Sequence, residues 1–290
     1  MPPESALLAP APEPLLPTLT AHLFPPLGRE LVTLLRGLPA EAWERGTVCR
    51  AWTVKDIAAH LLDTALRRLS VGRDRHVLAP PPLPVTGYRD LVGFLNGLNA
   101  EWVTAMRRVS PQLLTELLAW VEPPLAVHLT AIDPFAPAIF PVSWAGEESS
   151  AGWFDVAREL TERWLHQQQI RLAVGAPPLV GAETSAAVFD TFLRALPHTF
   201  ARLQAPAGTE LVLEVRGERT LAYTLRRDGR RWQLLAGAAA APAASASLDE
   251  QTAWLLLTKG MPGAEARARA TVAGDAALLA PFFDTVAVMA

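Results

Sequence analysis

The sequence predicts an α+β protein of two domains, in which a helical bundle precedes a small α+β domain with a mostly antiparallel sheet. Three observations carry this prediction. Segments with the 3.6-residue apolar period of amphipathic helices continue to about residue 174. From about residue 210 the pattern changes to short alternating segments separated by hairpin turns. A length of 290 residues is sufficient for two ordinary domains.

Composition and charge exclude several classes of function. The net charge is -3 and no basic segment stands out, which argues against a nucleic-acid partner. The single cysteine, Cys49, rules out an intramolecular disulfide framework and fits a reducing compartment. The first 17 residues lack the positively charged start of a signal peptide, and no apolar run reaches membrane-spanning length. We therefore expect a soluble cytoplasmic protein without a membrane partner.

The first part of the chain predicts a flexible segment and then five helices. Residues 1–17 are rich in proline and are expected to be loosely attached, and the bundle is expected over residues 18–178, with no strand before residue 180. Thr53 is a suitable N-cap for the second helix, and Asp56 follows three residues later as in a capping box. Residues 133–152 predict a long ordered loop, a kind of segment that is often functional. The helices are predicted over residues 18–38, 53–71, 88–109, 111–132 and 153–174.

The second domain is predicted over residues 179–290. A helix is expected over 183–203, and strands over 210–216, 220–226 and 231–235 are separated by turns at Gly217 and at Asp228–Gly229. The Ala/Pro-rich residues 236–246 predict a surface connection. A helix over 248–258, a strand over 266–273 and a helix over 276–284 complete the domain. This order favours helices covering one face of the sheet.

Two of the predicted helices carry metal-binding side chains among apolar neighbours. Glu162 and His166 are four residues apart and therefore lie on one helix face, and His60 lies on the helix predicted over 53–71. Two histidines and one carboxylate are a sufficient ligand set for a divalent metal with an open coordination position. Spacing alone leaves two other interpretations open. His60 can be a satisfied core histidine, and Glu162 with His166 can be a pair that supports its own helix.

Further candidate residues have both structural and functional interpretations. Cys49 is either a reactive thiol or a small buried hydrophobe, and the second is favoured because no basic neighbour clearly activates it. Trp144 and Trp153 flank the long loop and are candidates for lining a pocket, together with Gln169 on the polar stripe of its helix. The arginines at 226, 227, 230 and 231 form either a solvated hairpin or an anion clamp. No nucleophile elbow supports Ser-His-Asp chemistry.

Two motifs resemble those of a known family. They are Cys49-x-x-Trp52-Thr53-Val54-x-Asp56-x-x-x-His60 and Glu162-x-x-x-His166 followed by Ile170. The chain resembles the mycothiol-dependent maleylpyruvate isomerase family, a branch of the DinB-like metal-binding four-helix bundles. Residues 142–147 and 153–159 are similar to segments that precede the last helix of the bundle in this group, and residues 272–289 are similar to its small sterol-carrier-like domain. The resemblance spans about residues 20–290.

The resemblance implies a zinc site and a thiol cofactor. The positions of the family's zinc ligands are His60, Glu162 and His166 here. The implied activity is transfer or isomerisation of a small electrophilic substrate with a low-molecular-weight thiol such as mycothiol. The isomerases also use an arginine of their C-terminal domain, for which Arg216, Arg226 and Arg231 are candidates. Gln169 stands where many family members carry aspartate.

The implied mechanism requires a fixed cation. A metal-bound thiolate would attack the substrate, and an anionic substrate beside it needs a positive charge. We therefore expect the open metal position to face a cavity bordered by residues 133–152 and the C-terminal domain. Arg158 and Arg163 are less well motivated for this role, on the argument that they share the helix with Glu162 and His166 but lie at other angles.

Two other functions remain open at this point. The bundle can be a non-catalytic metal-binding scaffold or regulatory module, because a shared fold does not fix a shared function. The same open metal position also suits metal-assisted hydrolysis. Binding of a thiol at the metal, with thiol-dependent turnover, would distinguish a transferase from both.

Overall fold

The computed structural model describes residues 11–77, 81, 84–179 and 181–289, which form two compact units. The helical unit contains Thr18–Ser143 and Glu147–Thr191, and the sheet unit contains the described residues up to Pro17, Trp144–Gly146 and Phe192–Val288. One division, between Pro17 and Thr18, coincides with the expected boundary at residue 17, whereas the later division lies between Thr191 and Phe192 and not at residue 178. Part of the segment expected to be flexible belongs to the sheet unit, and the first residues of the expected second domain belong to the helical unit.

The helical unit confirms the predicted bundle. It is built from α1 (Phe24–Arg36), α2 (Val54–Arg68), α3 (Tyr88–Met106), α4 (Pro111–Thr130), α5 (Gly152–Val174) and most of α6 (Ala182–Phe192). A 3-10 turn, Ala21–Leu23, precedes α1, and a π-helical turn, Leu69–Arg73, extends α2. Gly175 ends α5 in the left-handed conformation with φ 70°, which glycine adopts without a steric penalty. Across the described residues, none of the helices has the length and apolarity needed to cross a membrane.

The core of the helical unit lies where α1, α2, α4 and α5 meet. Leu31, Leu61, Leu114, Leu118 and Trp164 are fully buried there. α5 is buried on nearly all sides, so its polar residues lie inside the unit rather than in solvent. Because buried polar groups need partners, this helix is where hydrogen bonds and ion pairs are concentrated.

The start of α2 fixes the position of His60. The Thr53 side chain accepts from the backbone N–H of Asp56, and the Asp56 carboxylate accepts from the backbone N–H of Thr53, so the predicted capping box is present. Arg107 of α3 donates to both carboxylate oxygens of Asp56 at 3.1 and 3.0 Å. The cap therefore joins α2 to α3 one turn before His60.

We expect Asp56→Ala to lower the free energy of unfolding by about 1–2 kcal/mol at pH 7, because both the cap and the Arg107 pair are lost. Although burial alone would raise the pKa of Asp56, the hydrogen bonds from Arg107 and Thr53 hold it below the usual value. The contribution is therefore fully present above the unfolded pKa of about 3.9 and is lost as pH falls through the lowered folded pKa.

Urea unfolding of both proteins at pH 7 and in strong acid checks this prediction. The difference between wild type and Asp56→Ala should shrink in acid, and a difference that is unchanged would contradict the assignment. Glu101→Ala, an exposed acid on α3, is the control and should be close to wild type at both pH values.

The sheet unit confirms a mostly antiparallel sheet. Its described strands are β1 (Glu13–Pro14), β2 (Glu210–Arg216), β3 (Thr220–Asp228), β4 (Arg231–Ala236), β5 (Ala244–Asp249) and β6 (Thr271–Gly274). Their order is β1-β4-β3-β2-β5-β6, and neighbours are antiparallel except for the parallel pair β2 and β5. The short helices α7 (Leu196–Thr199) and α8 (Glu250–Leu257) pack on this sheet, and α9 (Gly263–Arg269) packs on α8.

Two strands lie where the sequence predicts something else. β5 replaces the end of the expected surface connection and the start of the expected helix at 248. Its residues Ala244, Ala246 and Leu248 point to the buried side and pair with β2, so the ladder of β2 decides the conformation of a segment with weak strand propensity. β1 places Glu13 and Pro14 beside β4, within the segment expected to be flexible and before residue 180.

Two helices also differ from the prediction. The helix expected over 183–203 ends at Phe192 and continues as short 3-10 and α turns, with Pro197 in the first turn of α7, where its missing N–H is tolerated. α9 occupies the start of the strand expected over 266–273, and the strand that follows, β6, has four residues. The alternating small residues of this segment suit either structure.

Candidate metal centre

α2 and α5 bring His60, Glu162 and His166 together. One ligand atom from each residue lies within 4.8 Å of the other two. Nε2 of His60 is 2.9 Å and Nε2 of His166 is 3.1 Å from the same oxygen, Oε1 of Glu162. The histidine side chains are 4% and 8% exposed, whereas that of Glu162 is 29% exposed. The cluster is therefore closed around the histidines and open beside the carboxylate.

Gln169 fixes the orientation of the His166 ring. Its Oε1 lies 2.8 Å from Nδ1 of His166, so the amide oxygen accepts the Nδ1–H. His166 thus stands between two oxygen acceptors, Gln169 Oε1 and Glu162 Oε1. A neutral imidazole has one N–H and satisfies one acceptor. An additional proton on Nε2, or a cation shared with Glu162, would satisfy the second contact.

His60 is held differently. Its ring packs against Trp52, with ring centroids 4.7 Å apart, and Trp52 also lies 6.0 Å from the ring of His166. Nδ1 of His60 has no hydrogen-bond partner in the part of the chain that the structure describes. Packing by Trp52 on one side and Glu162 on the other directs Nε2 toward the cluster.

The protonation states of His60 and Glu162 are suited to binding a metal cation. Burial lowers the pKa of His60, which favours the neutral ring at neutral pH. Burial alone would raise the pKa of Glu162, but the charge of His166 and the hydrogen bonds from both histidines hold it well below its usual value. A neutral imidazole and an ionised carboxylate are the forms that coordinate metals. Two imidazole nitrogens and a carboxylate oxygen are suitable ligands for zinc and similar divalent ions, so these residues fit the group.

Cys49 lies near this cluster but does not have the character of a nucleophile. Burial raises the pKa of its thiol, and the charge of Glu162 raises it further, although the backbone N–H of Ala51 donates to it. The thiol is therefore protonated at neutral pH. This supports the interpretation of Cys49 as a small, partly buried hydrophobe.

The structure places the three pocket candidates at different sites. Gln169 contacts the cluster, as described above. Trp153 is half-buried near the start of α5, with its ring stacked on Phe154 at 5.0 Å between centroids. Trp144 is buried in a 3-10 turn, Ser143–Ala145, and groups with the sheet unit. A common pocket of Trp144, Trp153 and Gln169 stays a prediction.

Arg216, Arg226 and Arg231 lie on one face of the sheet. Glu210 on β2 pairs with Arg226 on β3, which pairs with Gln233 on β4, and strand alternation places Arg216 and Arg231 on the same side. Arg226 forms an ion pair with Glu210 at 2.7 Å, and Arg216 donates to Ser247 at 2.6 Å. Their catalytic role stays a prediction.

The helix-angle argument against Arg158 is wrong, whereas the argument against Arg163 agrees with the structure. Arg158 precedes Glu162 by four residues, as Glu162 precedes His166, so the three lie on one face of α5. Arg163 points away from the cluster, because it donates to Glu122 at 2.7 Å and to the carbonyl of Leu61 at 3.3 Å. The four-residue spacing was visible in the sequence and would have identified Arg158.

Comparisons with known proteins identify the family and the fold of this chain. Residues 24–171 match the profile described as the mycothiol maleylpyruvate isomerase N-terminal domain. A crystal structure of a mutant of the mycothiol-dependent maleylpyruvate isomerase is 12% identical, with a TM-score of 0.50, over 87% of this chain and 91% of that one. This degree of likeness shows a shared fold.

Two further solved structures show weaker similarity. Another structure of the mycothiol-dependent maleylpyruvate isomerase is 13% identical, with a TM-score of 0.49, over 81% of this chain and 86% of that one. The apo form of sterol carrier protein 2 from Yarrowia lipolytica is 14% identical, with a TM-score of 0.28, over 37% of this chain and 91% of that one. No curated protein matches the chain in sequence. Because the profile covers slightly more than half of the residues, the chain belongs to the mycothiol maleylpyruvate isomerase N-terminal domain family.

Proposed function

We propose that this protein is a metal-dependent enzyme that uses a low-molecular-weight thiol to isomerise or transfer a small electrophilic substrate. The main support for this proposal is that His60, Glu162 and His166 converge and that His166 lies between two oxygen acceptors. Family membership supplies the reaction class, because the family is described by a mycothiol-dependent isomerase. Zinc is the metal that this ligand set favours. The single cysteine is consistent with action in the cytoplasm.

Each residue of the centre has a separate role in this proposal. A bound divalent metal would supply a Lewis acid that lowers the pKa of a coordinated thiol. His60 and His166 present nitrogen ligands, and Glu162 contributes one negative charge. Gln169 keeps the Nε2 of His166 directed at the centre, and Trp52 restrains the ring of His60. Thiol and substrate would reach the centre on its open side, beside Glu162.

An arginine of the sheet unit is part of this proposal. Arg216, Arg226 and Arg231 share one sheet face and are therefore comparable candidates. One of them is proposed to hold a negative charge of the substrate. Arg226 already neutralises Glu210. Replacing Arg226 is therefore the least informative about catalysis, because it also breaks this ion pair. Replacing each with alanine, at unchanged metal content, separates the three.

The function is tested with zinc-reconstituted protein, mycothiol and maleylpyruvate, and then with other thiols and electrophiles. We expect turnover that requires both metal and thiol and that stops after chelation. Turnover without thiol would indicate metal-assisted hydrolysis instead. Metal binding with neither thiol binding nor turnover would contradict the proposal and favour a non-catalytic metal-binding scaffold.

A further inference from the structure

Arg158 lies one helical turn from the candidate ligand Glu162. Arg158, Glu162 and His166 follow one another at four-residue intervals on α5, and side chains at this spacing are neighbours on a helix surface. Burial alone would lower the pKa of Arg158, but the charges of Asp155, Glu159 and Glu162 raise it. The guanidinium is therefore charged and close enough to Glu162 to interact with it.

Arg158 also shares the open side of the centre. Its side chain is 22% exposed and that of Glu162 is 29% exposed, whereas Asp155 and His166 are buried. These two charged groups are thus accessible on the α5 face that carries the centre. A ligand that approaches beside Glu162 would meet the guanidinium of Arg158.

Arg158 retains hydrogen-bonding capacity because its acidic partner is shared. Asp155 accepts from the buried Arg68 at 2.5 Å through one carboxylate oxygen and from Arg158 at 2.6 Å through the other. Nε of Arg158, and both Nε and Nη1 of Arg68, are buried and have no partner within the described ranges, so a ligand would meet Arg158 at the exposed part of its side chain and not at Nε. By contrast, the neighbouring Arg163 is committed to Glu122 and to a backbone carbonyl.

The local charge favours an anion once a divalent cation is bound. The guanidinium groups of Arg68 and Arg158 balance the carboxylates of Asp155 and Glu159. A divalent metal with Glu162 then leaves a net positive charge beside Arg158. A guanidinium at such a position forms a charge-assisted hydrogen bond with a carboxylate.

We propose that Arg158 binds a carboxylate of the molecule that occupies the His60–Glu162–His166 centre. This inference rests on the proposed function, in that it assumes a metal at that centre. It adds a cationic subsite within the helical unit and selects ligands that carry a carboxylate a few atoms from their metal-binding group. Arg158 would act on binding and orientation, and the sheet-unit arginines remain candidates for a separate role.

The test uses cobalt-loaded protein, because thiolate coordination to cobalt is visible as near-ultraviolet charge-transfer absorption. Wild type, Arg158→Gln and Arg158→Lys are titrated with 3-mercaptopropionate and with 2-mercaptoethanol, which lacks the carboxylate. We expect Arg158→Gln to lower the ratio of 3-mercaptopropionate affinity to 2-mercaptoethanol affinity about tenfold or more, which is the loss for one charged hydrogen bond. Arg158→Lys should retain part of the wild-type preference for 3-mercaptopropionate. Affinity for 2-mercaptoethanol should not change.

Controls keep the outcomes distinct. Arg29→Gln removes an exposed arginine on α1 and should keep the wild-type ratio. Arg68 still neutralises Asp155 in the variants, so they should fold, which thermal melting checks. An unchanged ratio in Arg158→Gln, with both thiols bound, overturns the inference but leaves the proposed function intact. If neither thiol binds, the thiol function fails, and titration of the cobalt d–d bands with succinate and with acetate decides the carboxylate subsite: an equal ratio of the two affinities in wild type and Arg158→Gln overturns it.

Discussion

Replacing His60, Glu162 or His166 with alanine is expected to abolish stoichiometric binding of a divalent metal. Each replacement removes one of three ligands whose atoms lie within 4.8 Å of one another. We expect at least a hundredfold loss of affinity, since even the loss of a residue that only orients a ligand typically costs 10–100-fold. Elemental analysis after zinc reconstitution, followed by competition with a chromogenic chelator, measures the loss.

The chain contains a matched control for this experiment. His22 and Glu183 form a surface pair with the same 2.9 Å separation as His60 and Glu162, but both are exposed. His22→Ala should therefore keep wild-type metal content. If His60→Ala and His22→Ala bind equally, or if wild type takes up no metal, the metal centre is wrong and the cluster is a hydrogen-bonded His–Glu–His triad.

Arg163→Met is expected to lower the free energy of unfolding by about 3–5 kcal/mol. Arg163 and Glu122 form a buried ion pair at 2.7 Å, and the variant leaves the Glu122 carboxylate without its cation. Burial already raises the pKa of Glu122, which shows how unfavourable its charge would be alone. Arg163 also donates to the carbonyl of Leu61, so α5 loses a link to α2. Urea unfolding at pH 7 measures the change.

The double variant Glu122→Met with Arg163→Met separates a lost charge partner from lost packing. Removing both charges should recover much of the stability, because apolar residues of similar volume often replace a buried pair without loss. Arg269→Met, in an exposed pair with Glu265, is the surface control and should cost no more than about 0.5 kcal/mol. A double variant as unstable as Arg163→Met would mean that packing, not the charge, dominates.

Local sequence patterns predicted the elements that are stabilised by their own neighbouring residues. The capping box of Thr53 and Asp56, the glycine stop of α5 and the hairpin of β2 and β3 all depend on residues close in sequence. β5 was missed because Ala244–Asp249 becomes a strand through pairing with β2, about 30 residues earlier.

The candidate site divides in the same way. Spacing on one helix placed Glu162 and His166 on a common face, and the same spacing applied to Arg158 would have placed it there too. No local pattern shows that Gln169 accepts from His166, that Trp52 packs on His60, or that Asp155 serves two arginines. These contacts depend on side-chain orientations that neighbouring helices impose.

The sequence by itself determined the fold class, the family and the identity of the three candidate ligands, because periodicity, caps and motif spacing are local properties. The tertiary structure decided that His60 meets Glu162 across 102 residues, and that α5 carries its charges inside the helical unit. It also decided which arginines are committed to buried partners and which retain donors. The physical reason is that burial and charge pairing arise only when distant segments pack, since both depend on which groups exclude water from one another.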